Sequence, residues 1–145
     1  MLFALLAIPL HAADAPQPVR EHPSLRLFID PSSTTVSLGK VSLTVSPLTH
    51  NGKVLLGDYQ IKVVPYFYKN EKGALELEFS DEMEQKLLNG VAVKFSGKAT
   101  NSKNGKVKEI VGKASPTAND RGNVTFSILT KNGLMVFNTT YHFGE

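Results

Sequence analysis

Apolar and polar residues alternate along most of this chain, with the period of two that puts one row of side chains on each face of a β-strand. Leu25, Leu27 and Ile29 alternate with Arg26 and Phe28, predicting a short first strand closed by Asp30-Pro31-Ser32-Ser33. Val36 and Leu38 form one row, and Val41, Leu43 and Val45 a row of the other parity. That slip predicts a bulge or tight turn at Gly39-Lys40. After Lys53–Leu56 and a break at Gly57-Asp58, the clearest strand carries Tyr59, Ile61, Val63, Pro65 and Phe67 on one face. Pro65 has no N–H to give a ladder, so an edge or a bulge is expected there. Leu75, Leu77 and Phe79 then face inward, with Glu76 and Glu78 outward.

The second half repeats the alternation. Val91, Val93, Phe95 and Ala99 predict one strand. Val107, Ile110 and Ala114 do not share a parity, which places a bulge near Lys108-Glu109. A loop at Pro116–Gly122 leads to Val124, Phe126 and Ile128, and Met135, Phe137, Thr139, Tyr141 and Phe143 make the last strand. Only residues 81–89 break the β pattern. Asp81 followed by Glu84 is a capping-box-like start, Met83 and Leu87 share a helical face, and Asn89-Gly90 supplies a left-handed stop.

Four Asn-Gly pairs punctuate these segments, at 51–52, 89–90, 104–105 and 132–133. Asn and Gly tolerate the positive φ of a type I′ turn, so three of the pairs predict hairpins and Asn89-Gly90 a helix end. The chain therefore reads as all-β with one short helix: an antiparallel meander of seven or eight strands forming a β-sandwich or small β-barrel, with the helix at about 81–89 between two β halves.

The N-terminus adds a destination. Residues 1–13, Met1 to Ala13, form an apolar run too short to span about 30 Å of hydrocarbon as a helix, and ending in small residues. They predict a signal peptide and export to the periplasm or the extracellular space. Residues 14–24 contain three prolines and little apolar surface, predicting a Pro-rich tether ahead of a single β domain at 25–145. No later stretch is long and apolar enough for a transmembrane helix.

Composition removes several chemistries. There is no Cys, so a thiol nucleophile, thiolate metal sites and a lipoprotein anchor are excluded. The absence of both Trp and Cys also excludes the signature positions of lipocalins and immunoglobulin domains. His50 sits beside a turn and His142 opposite Tyr141 and Phe143, with no metal-ligand spacing. Glu76 and Glu78, about 7 Å apart by strand rise, read as a solvated face. No nucleophile elbow or phosphate-cradling Gly-rich loop is present. Neither a catalytic residue nor a cofactor or metal is expected.

Two surfaces remain as candidates. Six lysines between Lys94 and Lys113, opposed by Glu109 alone, crowd one hairpin; Lys94, Lys98, Lys106 and Lys108 are the candidate contacts there. Such a patch suits an anionic glycan or a lipid headgroup, or serves solubility by protecting an edge. Few arginines and no interleaved aromatics argue against nucleic acid. Tyr66 and Tyr68 join Val64 opposite Ile61, Val63 and Phe67, giving a strand apolar on both faces, covered either by the helix or by a partner. The expectation is an exported, non-catalytic binding or envelope-interaction domain. A carrier of a small apolar ligand inside a barrel is the alternative, and a small outer-membrane barrel a third reading.

Overall fold

A computed structural model describes residues 26–36, 39–131 and 133–145. The signal peptide and tether expected at 1–24 lie outside these residues, as do Leu25, Leu38 and Asn132. The alternating pattern forms ten antiparallel strands: β1 (Arg26–Ile29), β2 (Ser32–Val36), β3 (Gly39–Val45), β4 (Leu48–Asn51), β5 (Val54–Val64), β6 (Glu71–Glu78), β7 (Val93–Asn101), β8 (Val107–Ala118), β9 (Arg121–Thr130) and β10 (Gly133–Gly144). The helix α1 (Asp81–Leu88) joins β6 to β7.

Eight strands close into a barrel in the order β5-β4-β1-β10-β9-β8-β7-β6, with β6 pairing back to β5. Closure removes the free edges that an open sheet would present. β2 and β3 are additional, β3 pairing with the end of β5 beyond the reach of β4. The barrel itself has eight strands, as the expected seven or eight allowed, and prolines divide strands at two places. Pro31 separates β1 from β2, and Asp30 N–H there donates to the Thr140 carbonyl at 3.0 Å. Ser46-Pro47 separates β3 from β4, with Ser46 N–H on the Asp58 carbonyl (2.9 Å) and Asp58 N–H on Ser46 Oγ (2.8 Å).

Local expectations are corrected at several points. β5 runs unbroken through Gly57-Asp58, because Gly57 leaves the space that the fully buried Leu48 side chain fills. It ends at Val64; the Val64–Pro65 peptide is cis, and Phe67–Lys69 form a 3₁₀ turn with Phe67 64% exposed. β8 keeps one register with β7 through Lys108-Glu109, and its irregularity lies between Pro116 and Ala118 instead. The loop expected at Pro116–Gly122 shrinks to the two-residue turn Asn119-Asp120.

The turns use their Asn-Gly pairs differently from the I′ expectation. No non-glycine residue among those described has positive φ. Asn51 pairs with Val54, so the turn is Gly52-Lys53, with φ +68° at Gly52 alone, as a type II′ turn requires. Thr130 pairs with Gly133, which shifts that turn one residue earlier. Asn104-Gly105 lies in a longer loop between Asn101 and Val107, where the Asn101 and Asn104 side chains accept from the N–H groups of Lys103 and Lys106. Gly39 and Lys40, where a bulge or tight turn was expected, already lie in β3, paired with Val36 and Thr35.

α1 starts at Asp81 as expected, but its N-cap is one residue earlier than the capping pattern indicates. Ser80 is the N-cap, its Oγ accepting from Met83 N–H at 3.2 Å, while Asp81, Glu82 and Glu84 occupy the first turn. At the other end Gly90, with φ +82°, permits the paired bonds of a Schellman motif: Val91 N–H to the Lys86 carbonyl and Gly90 N–H to the Leu87 carbonyl. The helix packs on β7 and β8 and inserts Leu87 into one end of the barrel, beside Leu27, Phe79 and Val93.

The interior is filled by Phe126, Phe137 and the aliphatic rows around them. Phe95 lies over Gly112 across the β7–β8 pair and meets Phe126 edge-on at 5.6 Å. The gaps left in this core measure about 20 and 10 Å³. A space of that size holds one water at most. The exterior carries Lys62, Lys94, Lys98 and Lys113, all exposed. An apolar interior inside a lysine-bearing wall is the inverse of a transmembrane barrel. No helix among the described residues is long and apolar enough to cross a membrane.

The plug gives a direct test of the helix register. Leu87 is 2% exposed and its neighbour Leu88 38%. Leu87→Ala is expected to destabilise the protein by about 3 kcal/mol, and Leu88→Ala by under about 0.5 kcal/mol, in urea unfolding followed by circular dichroism.

Candidate functional site

α1 stoppers one end of the barrel; among the described residues the other end is an open mouth. Around it stand the ends of β2 and β5, the starts of β3, β6, β8 and β10, and the 3₁₀ turn. Inside lies a cavity of about 580 Å³ with an aliphatic wall that includes Val41, Ile61, Val63 and Met135. Ligand sites in proteins typically measure about 300–1,000 Å³. A larger open depression, about 650 Å³, lies on the outer wall over Gly73 and Ala74 and lacks such a wall of aliphatic side chains.

The mouth's polar chemistry follows from strand parity. Glu71 stands in the row of Leu75 and Leu77 on β6, Lys108 in the row of Ile110 and Ala114 on β8, and Tyr59 in the row of Ile61 and Val63 on β5. All three rows face inward. Ala99, which lies opposite Lys108 on β7, presents only a methyl group, and Lys108 reaches across to Glu71. Its Nζ donates to Glu71 Oε1 at 2.7 Å, and the Tyr59 hydroxyl donates to Glu71 Oε2. The Glu71 side chain is 12% exposed and that of Lys108 27%. A carboxylate this enclosed is tolerated because each oxygen has its own donor.

Burial first, then the bond to Glu71 and its negative charge, push the Tyr59 phenol well above its ordinary value. Burial alone raises Tyr141, deeper in the barrel. Tyr59 therefore stays protonated and serves as a fixed donor. The rim is held by Asn70, whose Oδ1 accepts from Val63 N–H at 2.7 Å, anchoring the 3₁₀ turn to the end of β5.

The residues singled out by the sequence scatter over this frame. Tyr66 lines the mouth and touches Tyr68 edge-on at 6.0 Å, but Tyr68 itself is 79% exposed. Helix α1 does not cover the tyrosines, because it packs at the opposite end. Both faces of β5 are not apolar either, since the chain leaves the strand before Tyr66. The lysine hairpin splits three ways. Lys94 and Lys98 point outward from the wall, opposite Lys113 and Glu109; Lys106 sits in the loop at the mouth; Lys108 turns inward. Reading a bulge into β8 concealed this, because an unbroken register puts Lys108 two residues before buried Ile110. Tyr59 was missed because it lies on an apolar inward row that looked merely structural, and Glu71 because Asn70-Glu71-Lys72-Gly73 reads as a turn into the next strand.

His50, Asp81 and Glu84 bring ligand-type atoms within 4.8 Å of one another at the start of α1. His50 Nε2 bonds to the Phe79 carbonyl at 2.9 Å and Nδ1 lies 3.9 Å from Glu84, so the imidazole ties β4 to the helix start. Among the described residues this is the one trio able to offer a cation three ligands. His142, in contrast, stacks on Phe28 at 4.9 Å.

No protein-family model matches this chain, and neither does any curated protein or solved structure.

Two outcomes test the mouth's electrostatics. The folded state holds the Tyr59 proton where the unfolded chain releases it, so this stabilisation is complete below about pH 10 and declines as pH rises further. Tyr59→Phe should cost about 1–2 kcal/mol at neutral pH through the lost bond to a carboxylate, and should flatten the decline of melting temperature above that pH, leaving the part due to Tyr141. Lys108→Met leaves Glu71 short of a donor and should cost about 2 kcal/mol, less than for a fully buried pair because water screens part of it. Adding Glu71→Leu to that variant should restore most of the loss.

Proposed function

We propose that this chain is an exported, non-catalytic binding domain whose site is the barrel mouth, and that it takes a small amphipathic anion there. The observation that carries the reading is the contrast between a filled interior and a cavity of about 580 Å³ at the mouth. The aliphatic wall suits a hydrocarbon segment, which gains about 25 cal/mol for each Å² withdrawn from water. Glu71 is already neutralised by Lys108, so among the residues lining the cavity the charge left for a ligand is that of Lys69. The Tyr66 and Tyr68 rings beside it add a flat apolar edge with polar tips.

This reading moves a carried ligand from inside the barrel to its opening. The apolar run at residues 1–13 supports export, with the β domain acting outside the cytoplasm. The partners considered from sequence, an envelope protein, an anionic glycan or a lipid headgroup, narrow on this view to a ligand with both an acyl-like segment and an anionic group.

Calorimetry with decanoate, decyl alcohol and decyltrimethylammonium tests the charge and shape together. Decanoate should bind most tightly and the cation least, and Lys69→Gln should weaken decanoate by up to about fivefold, the range of a solvent-exposed ion pair. Met135→Trp, which narrows the cavity, should weaken binding of all three with the fold retained. Equal affinities for the anion and the cation, or binding untouched by Met135→Trp, would sink the proposal.

A further inference from the structure

The mouth end of the barrel has a surface as well as a cavity, and its composition is lopsided. Lys69, Lys72, Lys103, Lys106 and Lys131 are all exposed on the connections and strand ends that ring the mouth. At this end the acidic Glu71 points inward and is bound to Lys108. At the opposite end, α1 carries Asp81, Glu82 and Glu84 in its first turn. The rim lysines are thus of one sign, whereas α1 at the other end carries both, with Lys86 in its last turn.

Large apolar side chains stand exposed among those lysines. Phe67 and Tyr68, 64% and 79% exposed, project from the 3₁₀ turn. Leu134 and Leu129, which face each other across the β9–β10 pair, are exposed on the far side of the opening, and Val107 at the start of β8 between them. Solubility explains lysines, but it does not explain an exposed Phe-Tyr pair at the tip of a loop. Aromatic and aliphatic tips interspersed with lysines fit a bilayer interface, where rings settle at headgroup level and lysines meet anionic lipid.

We infer that the mouth end docks onto a membrane surface rich in anionic lipid, with Phe67, Tyr68 and Leu134 entering the interface and the surrounding lysines contacting headgroups. The charge of the rim and the position of its apolar residues select this occupant over a second copy of the chain, whose identical positive rim would repel it. The inference does not depend on the mouth taking a soluble ligand. It fails or holds on the outer rim, whereas the binding reading fails or holds on the cavity wall.

Co-sedimentation of the full mature chain with vesicles of phosphatidylcholine alone, or mixed with phosphatidylglycerol, tests it. Binding is expected to the mixed vesicles only, to weaken as salt is added, and to fall about fivefold for each of Lys103→Gln and Lys106→Gln. Phe67→Ser and Tyr68→Ser should each reduce binding with melting temperature unchanged, and Lys86→Gln on the helix end should leave it intact. No association with phosphatidylglycerol vesicles at low salt overturns the inference. So does binding indifferent to Phe67→Ser and Tyr68→Ser, or equal loss in Lys86→Gln, which would mean unoriented adsorption. A dimer in sedimentation velocity that Phe67→Ser dissociates would assign the face to a second copy instead.

Discussion

The pairing of β5 with β6 closes the ring, and the rest of the molecule follows from that closure. A closed ring of eight strands encloses a space that side chains can just fill. Here they do so along its length, with Phe126 and Phe137 fully buried and gaps no larger than a water. The two ends then face different problems. At one, Leu87 on a capped helix seals the core from solvent. At the other the described residues form no plug, and the inward rows emerge as Glu71, Lys108 and Tyr59. An acid, a base and a phenol can share an interior only by satisfying one another. Each oxygen of Glu71 takes one donor, and Glu71 and Lys108 line the opening together with its aliphatic wall.

Much of the architecture was legible in the alternation of residues. The inward rows of β3, β5, β6, β9 and β10 match the expected apolar positions, and α1 starts and stops within a residue of its signals. The misreadings come from interactions between strands that no single segment reveals. Gly57 looked like a strand break because the reason for it, Leu48, lies on another strand. The Asn-Gly pairs marked turns correctly but not their registers, which cross-strand pairing fixes. Pro31 and Pro47 each remove a donor at a bend; β1 was read as ending before Pro31, whereas the short β4 after Pro47 was too brief to announce itself.

The candidate site was less legible, for a physical reason. Polar residues on an inward row look like errors in an apolar pattern, and the easiest repair is to assume a bulge. For β8 that repair hid Lys108, since an unbroken strand places it inward. Glu71 was passed over as a turn residue, and Tyr59 as part of the core. Of the aromatic pair, Tyr66 belongs to the mouth and Tyr68 to its outer rim. The lysines divide in the same manner: outward ones on the wall, rim ones around the opening, and one inside it. The basic, aromatic and aliphatic features that seemed like separate surfaces in the sequence converge at one end of the barrel, which is where both the binding and the docking readings place function.

The central claim is one of location, that this barrel meets its ligand at the mouth and not through its core. Amide ¹⁵N–¹H spectra recorded while decanoate is added test it most directly. The account predicts shifts confined to the mouth, at Val41, Ile61, Val63, Lys69, Glu71 and Met135, with Leu87, Phe126 and the helix end unchanged. Shifts centred on the core around Phe126, or on the outer wall around Gly73 and Ala74, would contradict it.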